Sequence, residues 1–256
     1  AVTVNSEDVR AGYGQVAFGF GALATLAIGA AFFGTREPPT PPARAASFGD
    51  FGRGVRESLR NRPFRILLAT FVTMSVGSGL NGAVAIYAFV YWLGFSGAEV
   101  GMIVPVYLGA AALALPVWSG VAKRFGKDRA LRAVCLYEAV ILSSIWFLTP
   151  DRPAVFAFLT LAGVGLAGFL VAGSLLADVL DHDELATGEA RGGAFFGFWS
   201  FALKLAAGAG PPIVGGVLGA LGYVPNVAQS PEVILAMRLL YGPIPAVSFI
   251  AAALVF

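Results

Sequence analysis

At 256 residues, 57% of them hydrophobic and only 12% charged, with a mean hydropathy of +0.78, the chain is no ordinary soluble domain, which carries about 25% charged residues. Its formal net charge of +2 holds no nucleic-acid signal, because the basic residues lie between apolar runs, and a single cysteine, Cys135, leaves no disulfide framework. Strand alternation is absent and the apolar runs extend about 17 to 28 residues, so the chain reads as an all-α polytopic membrane protein whose first partner is the lipid bilayer.

Residues 1–12 are polar and lack the charged-then-apolar pattern of a signal peptide. Seven spans are expected. The first, 13–33, is rich in Gly and Ala and ends at FFGTRE. The connection over 35–65 holds a PPTPP cluster and Arg36, Arg44, Arg53, Arg56, Arg60, Arg62 and Arg65. Within it, 48–61 places Phe51, Val55 and Leu59 on one helical stripe with arginines opposite, which suits a helix lying on the membrane surface or a solvated linker. The second span, 66–94, contains Asn81, Tyr87, Tyr91 and Trp92, and turns at FSGAE. The third, 100–122, carries Pro105 and Pro116 as expected kinks and leads into the basic run KRFGKDRALR. The fourth, 133–149, holds Glu138; PDRP makes the next turn and the fifth runs over 154–180. An acidic connection with Asp178, Asp181, Asp183, Glu184 and Glu189 precedes the sixth span, 193–221, which contains Lys204. The loop GYVPNVAQSPE leads to the seventh, from 233 onward, interrupted by Pro243 and Pro245. Without Met at its start and with its end inside an apolar run, the sequence is expected to be a piece of a longer chain.

Orientation follows from Lys and Arg. The loops 35–65, 123–132 and 177–192 collect thirteen of them, against Arg10 and Arg152 on the other side, so the positive-inside rule makes those three loops cytoplasmic in a multi-pass protein of the cytoplasmic (inner) membrane. Trp92 and Trp146 then fall at the outer interface and Trp118 at the inner one.

Lys204 is the most costly residue in this layout. It lies about eleven residues into its span, about 16 Å deep in a hydrocarbon layer of about 30 Å, where a charge costs on the order of 3 kcal/mol unless it meets a cavity or a partner charge. Its stem is too short to snorkel from there. Ser200 lies four residues earlier on the same helical face and Trp199 adjoins it, a hydroxyl, a cation and an aromatic plane of the kind that binds a sugar. Asn81, Tyr87 and Phe169 complete the expected wall. Glu138, read as about six residues into its span, either snorkels, pairs with Arg132 or takes part in coupling. Arg238 is expected to anchor at the outer interface. The small-residue runs GVGLAG (163–168) and AAGAGPPIVGG (206–216) suit close helix approach or a hinge. A single histidine, His182, makes no metal cage, and no serine is backed by a histidine, so neither catalytic residues nor a metal site is expected.

The runs FFGTRE (32–37), NRPF (61–64), KRFGK (123–127), ADVLDHDELATG (177–188), Trp199 to Lys204 and GYVPNVAQS (222–230) together resemble the glycoside, pentoside and hexuronide cation symporters of the major facilitator superfamily, the melibiose permease-like group. The resemblance implies that residues 1–34 correspond to helix six of a twelve-helix carrier, 35–65 to the cytoplasmic inter-bundle linker with its surface helix, and 66–256 to the carboxy-terminal six-helix bundle. It implies substrate contacts at Lys204, Trp199, Ser200, Leu203 and Phe169. It also implies a cytoplasmic gate at Asp178, Asp181 and Glu184, closing against the amino-terminal bundle of the same chain. Arg191 stands between Ala190 and Gly192 where the family often has more charge, and in KRFGKDR the residues Lys123 and Arg124 belong to the superfamily loop, with Lys123 where that motif usually has aspartate. No cofactor is implied; the coupling cation, Na⁺ or H⁺, is expected to bind in the amino-terminal half.

The expected function is symport of a sugar or glycoside with that cation by alternating access, with no enzymatic activity. Three other readings stay open: the same fold carrying a lipid-like or drug-like amphiphile, a seven-helix receptor or retinal protein, and a membrane enzyme holding Mg²⁺ at Asp178 and Asp181.

Overall fold

The computed structural model describes residues 6–34, 48–188 and 192–256. The expectations placed on the PPTPP cluster, Arg36 and Arg44, and on Glu189 and Arg191, fall outside the described residues. The chain divides into two units, residues 1–46 and 47–256. In the first, α1 (Ser6–Gly34) exposes large apolar side chains on all sides, among them Phe18, Leu26 and Phe33, as a helix solvated by hydrocarbon does.

The second unit is a helical bundle. Its elements are α2 (Phe48–Ser58), α3 (Arg62–Tyr87) with a π-helical turn (Ala88–Trp92), α4 (Gly97–Phe125), and α5 (Lys127–Ser144) with a 3₁₀ turn (Ile145–Phe147). They continue with α6 (Arg152–Ala172), α7 (Leu175–Thr187), α8 (Gly192–Gly208), α9 (Gly210–Ala220), α10 (Pro231–Tyr241) and α11 (Pro243–Val255). Together with α1 they give seven helical segments long and apolar enough to cross a membrane among the described residues. The starts are written in the sequence. Asn61 accepts from the Phe64 amide ahead of Pro63, Ser96 and Glu99 form a capping box, Asp151 accepts from the Ala154 amide, and Ser230 from the Val233 amide.

Three boundaries differ from expectation, and a fourth, the interruption of the seventh span at Pro243, falls where it was expected. The fourth span begins at Lys127 rather than 133, because Gly126, at φ 92°, reverses the chain within one residue and lets the basic run supply helical turns on both sides. The acidic connection is not a loop but α7, set off from α6 at Gly173 and Ser174 and closed by Gly188 at φ 72°. The sixth span breaks at Ala209, before Pro211 and Pro212, and the seventh at Gly242, before Pro243. Helix α4, by contrast, runs through Pro105 and Pro116 without interruption.

The core joins α3 to α8, α9, α10 and α11, and α4 to α6. Phe64, Phe71, Met74, Leu131, Val134, Phe195 and Met237 are fully buried in it. At the crossing of α3 with α9, a Cβ on Gly210 would collide with the Gly79 carbonyl, so the AAGAGPP run sets the distance between those helices. Helix α2 docks on α8, with Gly54 against Ala194 and Ser58 buried.

Candidate functional site

On α5 the buried stripe Leu131, Val134, Cys135, Glu138 and Leu142 follows the helical period, which turns Glu138 inward and not toward lipid. Glu138 lies eleven residues into α5, about 16 Å from the helix start. The expected snorkelling is corrected, because the side chain is buried and turned inward. Pairing with Arg132 is also corrected: Arg132 donates to the Phe256 carbonyl at 2.8 Å and lies over the Phe256 ring. Glu138 is 9% exposed and lines a partly open cavity of about 510 Å³ to which α3, α4, α5, α6, α8, α10 and α11 contribute. Its carboxyl rests against Gly165, where any Cβ would collide with it, and the neighbouring Gly163 brings α6 onto the Tyr107 carbonyl of α4. The GVGLAG run thus shapes the cavity as well as the helix packing.

The remaining cavity polarity comes from Ser75, Ser78, Asn81, Tyr107 and Tyr241, and its aromatic wall from Phe89, Phe158, Phe169 and Phe249. One of the two amide N–H groups of Asn81 is engaged within the bundle. Its amide nitrogen donates to the Tyr241 carbonyl, which in a continuous helix would take the amide of residue 245; that residue is Pro245 and has none.

The structure separates the residues expected to act together on α8. Phe195, Trp199 and Ala206 form its buried stripe, and the Trp199 ring packs 4.9 Å from Phe71 and 6.3 Å from Phe64. Phe71 in turn lies 5.0 Å from Phe169, whose other side meets the cavity. Trp199 is thus a core residue, while Leu203 is half-buried and Ser200 and Lys204 are exposed. Neither Ser200 nor Lys204 lines the cavity of Glu138. The open side of α8 has two flanks: Gly193, Gly197, Ser200, Lys204 and Gly208 form a small and polar strip, and Phe201 and Leu205 form an apolar one. Tyr87 belongs elsewhere, lining a second cavity of about 230 Å³ with Pro211 and Val214 and meeting Tyr223 edge-on at 5.4 Å.

At the end carrying the basic loops, Lys127 donates to both oxygens of Asp178 at 2.6 and 2.7 Å, and Asn61 donates to Asp183 at 2.9 Å. Asp178 is engaged within its own bundle. Asp181 and Glu184 are exposed and form no ion pair among the described residues. Lys123 and Arg124 are exposed in the last turn of α4, with Arg124 over Phe125, so Lys127 is the residue of that loop the sequence reading missed. Its position four residues after Lys123 in KRFGK was the available signal. At the opposite end Arg152 pairs with Glu99 at 2.6 Å and donates to the Leu93 and Gly94 carbonyls, and Arg238 sits between the Trp92 and Trp146 rings. Among the described residues no three His, Cys, Asp or Glu side chains group to hold a metal.

The family described as MFS/sugar transport protein matches residues 2–256. The chain belongs to it. A glucuronide carrier protein homolog of Escherichia coli is 27% identical over 73% of this chain and 41% of the relative. An uncharacterized symporter of Synechocystis is 27% identical over 73% of this chain and 36% of the relative. Sodium-dependent lysophosphatidylcholine symporter 1-B of zebrafish (Danio rerio) is 26% identical over 99% of this chain and 49% of the relative. The chain spans less than half the length of these curated relatives. The MFS family and its symporter relatives are transporters and not enzymes, which ends the receptor, retinal and Mg²⁺-enzyme readings.

Proposed function

We propose that the chain supplies helix six (1–34), the inter-bundle linker (35–65) and the carboxy-terminal bundle (66–256) of a twelve-helix symporter. It moves a glycoside with Na⁺ or H⁺ across the cytoplasmic membrane by alternating access. The observation that carries this reading is the mixed lining of the cavity: the hydroxyl-bearing residues Ser75, Ser78 and Tyr107 share it with the aromatic Phe169 and Phe158, matching the two chemistries a sugar presents on its edge and its face. The small, polar strip of α8 with Ser200 and Lys204 faces the amino-terminal bundle across the translocation path, since lipid is better met by Phe201 and Leu205. The exposed Asp181 and Glu184 supply the cytoplasmic gate, with Asp178 held ready by Lys127.

A second reading, an amphiphile as cargo, is favoured by the predominance of apolar side chains in that cavity and by the likeness to a lysophosphatidylcholine symporter over nearly the whole chain. Uptake by the complete carrier in proteoliposomes tests both. Competition by aryl glycosides with none by lysolipids supports the first reading; the reverse result supports the second and refutes the first.

A further inference from the structure

We propose that Glu138 is a proton-binding site in this bundle, which on the symport reading makes it a place where solute movement is coupled to a proton gradient. Buried ionised carboxylates cost several kcal/mol each unless an opposite charge or several hydrogen bonds compensate them. Glu138 has neither among the described residues. The groups around it from every packed element are accounted for. Tyr107 of α4 and Tyr241 of α10 share its cavity as neutral phenols, α6 presents Gly165, and α11 contributes no titratable residue. On its own helix Arg132 is held by the Phe256 carbonyl, Tyr137 donates to the Leu161 carbonyl and Cys135 contacts the Met74 sulfur. Lys127 is held by Asp178, and Lys204 lies on the open side of α8. Among the described residues no cation of this bundle neutralises Glu138.

A metal ion needs several oxygen ligands converging on it. No hydroxyl among the described residues donates to the Glu138 carboxyl, and one side of it is occupied by the Gly165 backbone. A proton needs only the carboxyl itself. Protonation turns an acceptor-only carboxylate into an acid that also donates to a solute hydroxyl in the same cavity, and it removes the charge that opposes closure of the cavity away from water. The proton is taken from one side and released as carboxylate re-forms on the other, with no other bond made or broken.

Proton binding and solute binding then strengthen each other by the same factor. In weakly buffered solution, solute binding to the purified complete carrier draws in about one proton, and apparent affinity weakens about tenfold for each pH unit once Glu138 is ionised. Glu138→Gln removes the proton uptake and flattens the pH profile of binding, while Glu138→Asp keeps both, which separates a titrating role from a packing one. Accumulation against about 100 mV, about fifty-fold for one charge at about 2.3 kcal/mol, disappears in Glu138→Gln. Infrared difference spectra on a pH jump carry a carboxyl band that Glu138→Gln deletes. If the band is present but the wild-type carrier accumulates no solute, the proton site stands and the symport reading fails. No Glu138-dependent band, or proton uptake retained by Glu138→Gln, overturns the proposal, as does accumulation driven by a Na⁺ gradient alone.

Discussion

The Asn81 amide and the Tyr241 carbonyl form a pair whose energetics follow from a single missing N–H. Pro245 leaves the Tyr241 carbonyl without its helical donor at a depth where water does not replace it, and Asn81 of α3 supplies one from across the bundle. Asn81→Leu keeps the approximate volume and removes the donor, leaving a buried acceptor unpaired at a cost of about 1–3 kcal/mol, a factor of about 5 to 150 in the unfolding equilibrium. Pro245→Ala restores an N–H that points back toward residue 241, so in that background Asn81→Leu costs only its packing change. The double-mutant cycle, measured by unfolding of the solubilised carrier in mixed micelles, is expected to show a coupling of about 1–3 kcal/mol. Coupling within about 0.3 kcal/mol of zero refutes the view that Asn81 serves the proline break.

Lys204→Ala in the complete carrier is expected to abolish concentrative uptake while leaving expression intact; near-normal accumulation removes Lys204 from the site. Trp199→Ala, which empties the space between Phe64 and Phe71, is expected to destabilise by about 3 kcal/mol, and a stable variant defective only in solute binding contradicts its core placement. Lys127→Gln is expected to cost under about 1 kcal/mol of stability, since the Lys127–Asp178 pair is 37% and 50% exposed. Asp181→Asn is expected to shift the inward/outward balance more than affinity, as read by the accessibility of cysteines placed in the cytoplasmic funnel; unchanged accessibility counts against the gate.

The spans were legible because hydrocarbon thickness fixes helix length, whereas the segments read only as turns or loops at SGAE, DRP and SPE turn out to cap the helices that follow them. Polarity misled the reading where a helix continues into water. The basic run hid the start of α5 at Lys127 and the acidic run hid α7, since charged side chains do not tell a loop from an extramembrane helical turn. A cavity-facing position was legible for Phe169 and Asn81, whereas the core packing of Trp199 was not. Helical spacing shows which residues share a face, whereas the rotation of α8 against Phe64 and Phe71 decides which face is core.

That rotation has a consequence for the two costly charges. Glu138 and Lys204 both lie within helices long and apolar enough to cross a membrane, where opposite charges would ordinarily be expected to neutralise each other. Here Glu138 faces the cavity from α5, and Lys204 lies outside that cavity on the open side of α8, opposite the buried Trp199 stripe. Each charge therefore needs its own compensation, and the two kinds available differ. On the proposal made above, a proton serves Glu138 inside the bundle. On the proposed carrier reading, a fixed anion of the second bundle would serve Lys204 on the open side, in a contact made or broken as the bundles move. A bundle that had paired these residues internally would be more stable and would have no charge left with which to sense either the proton gradient or the position of the other bundle.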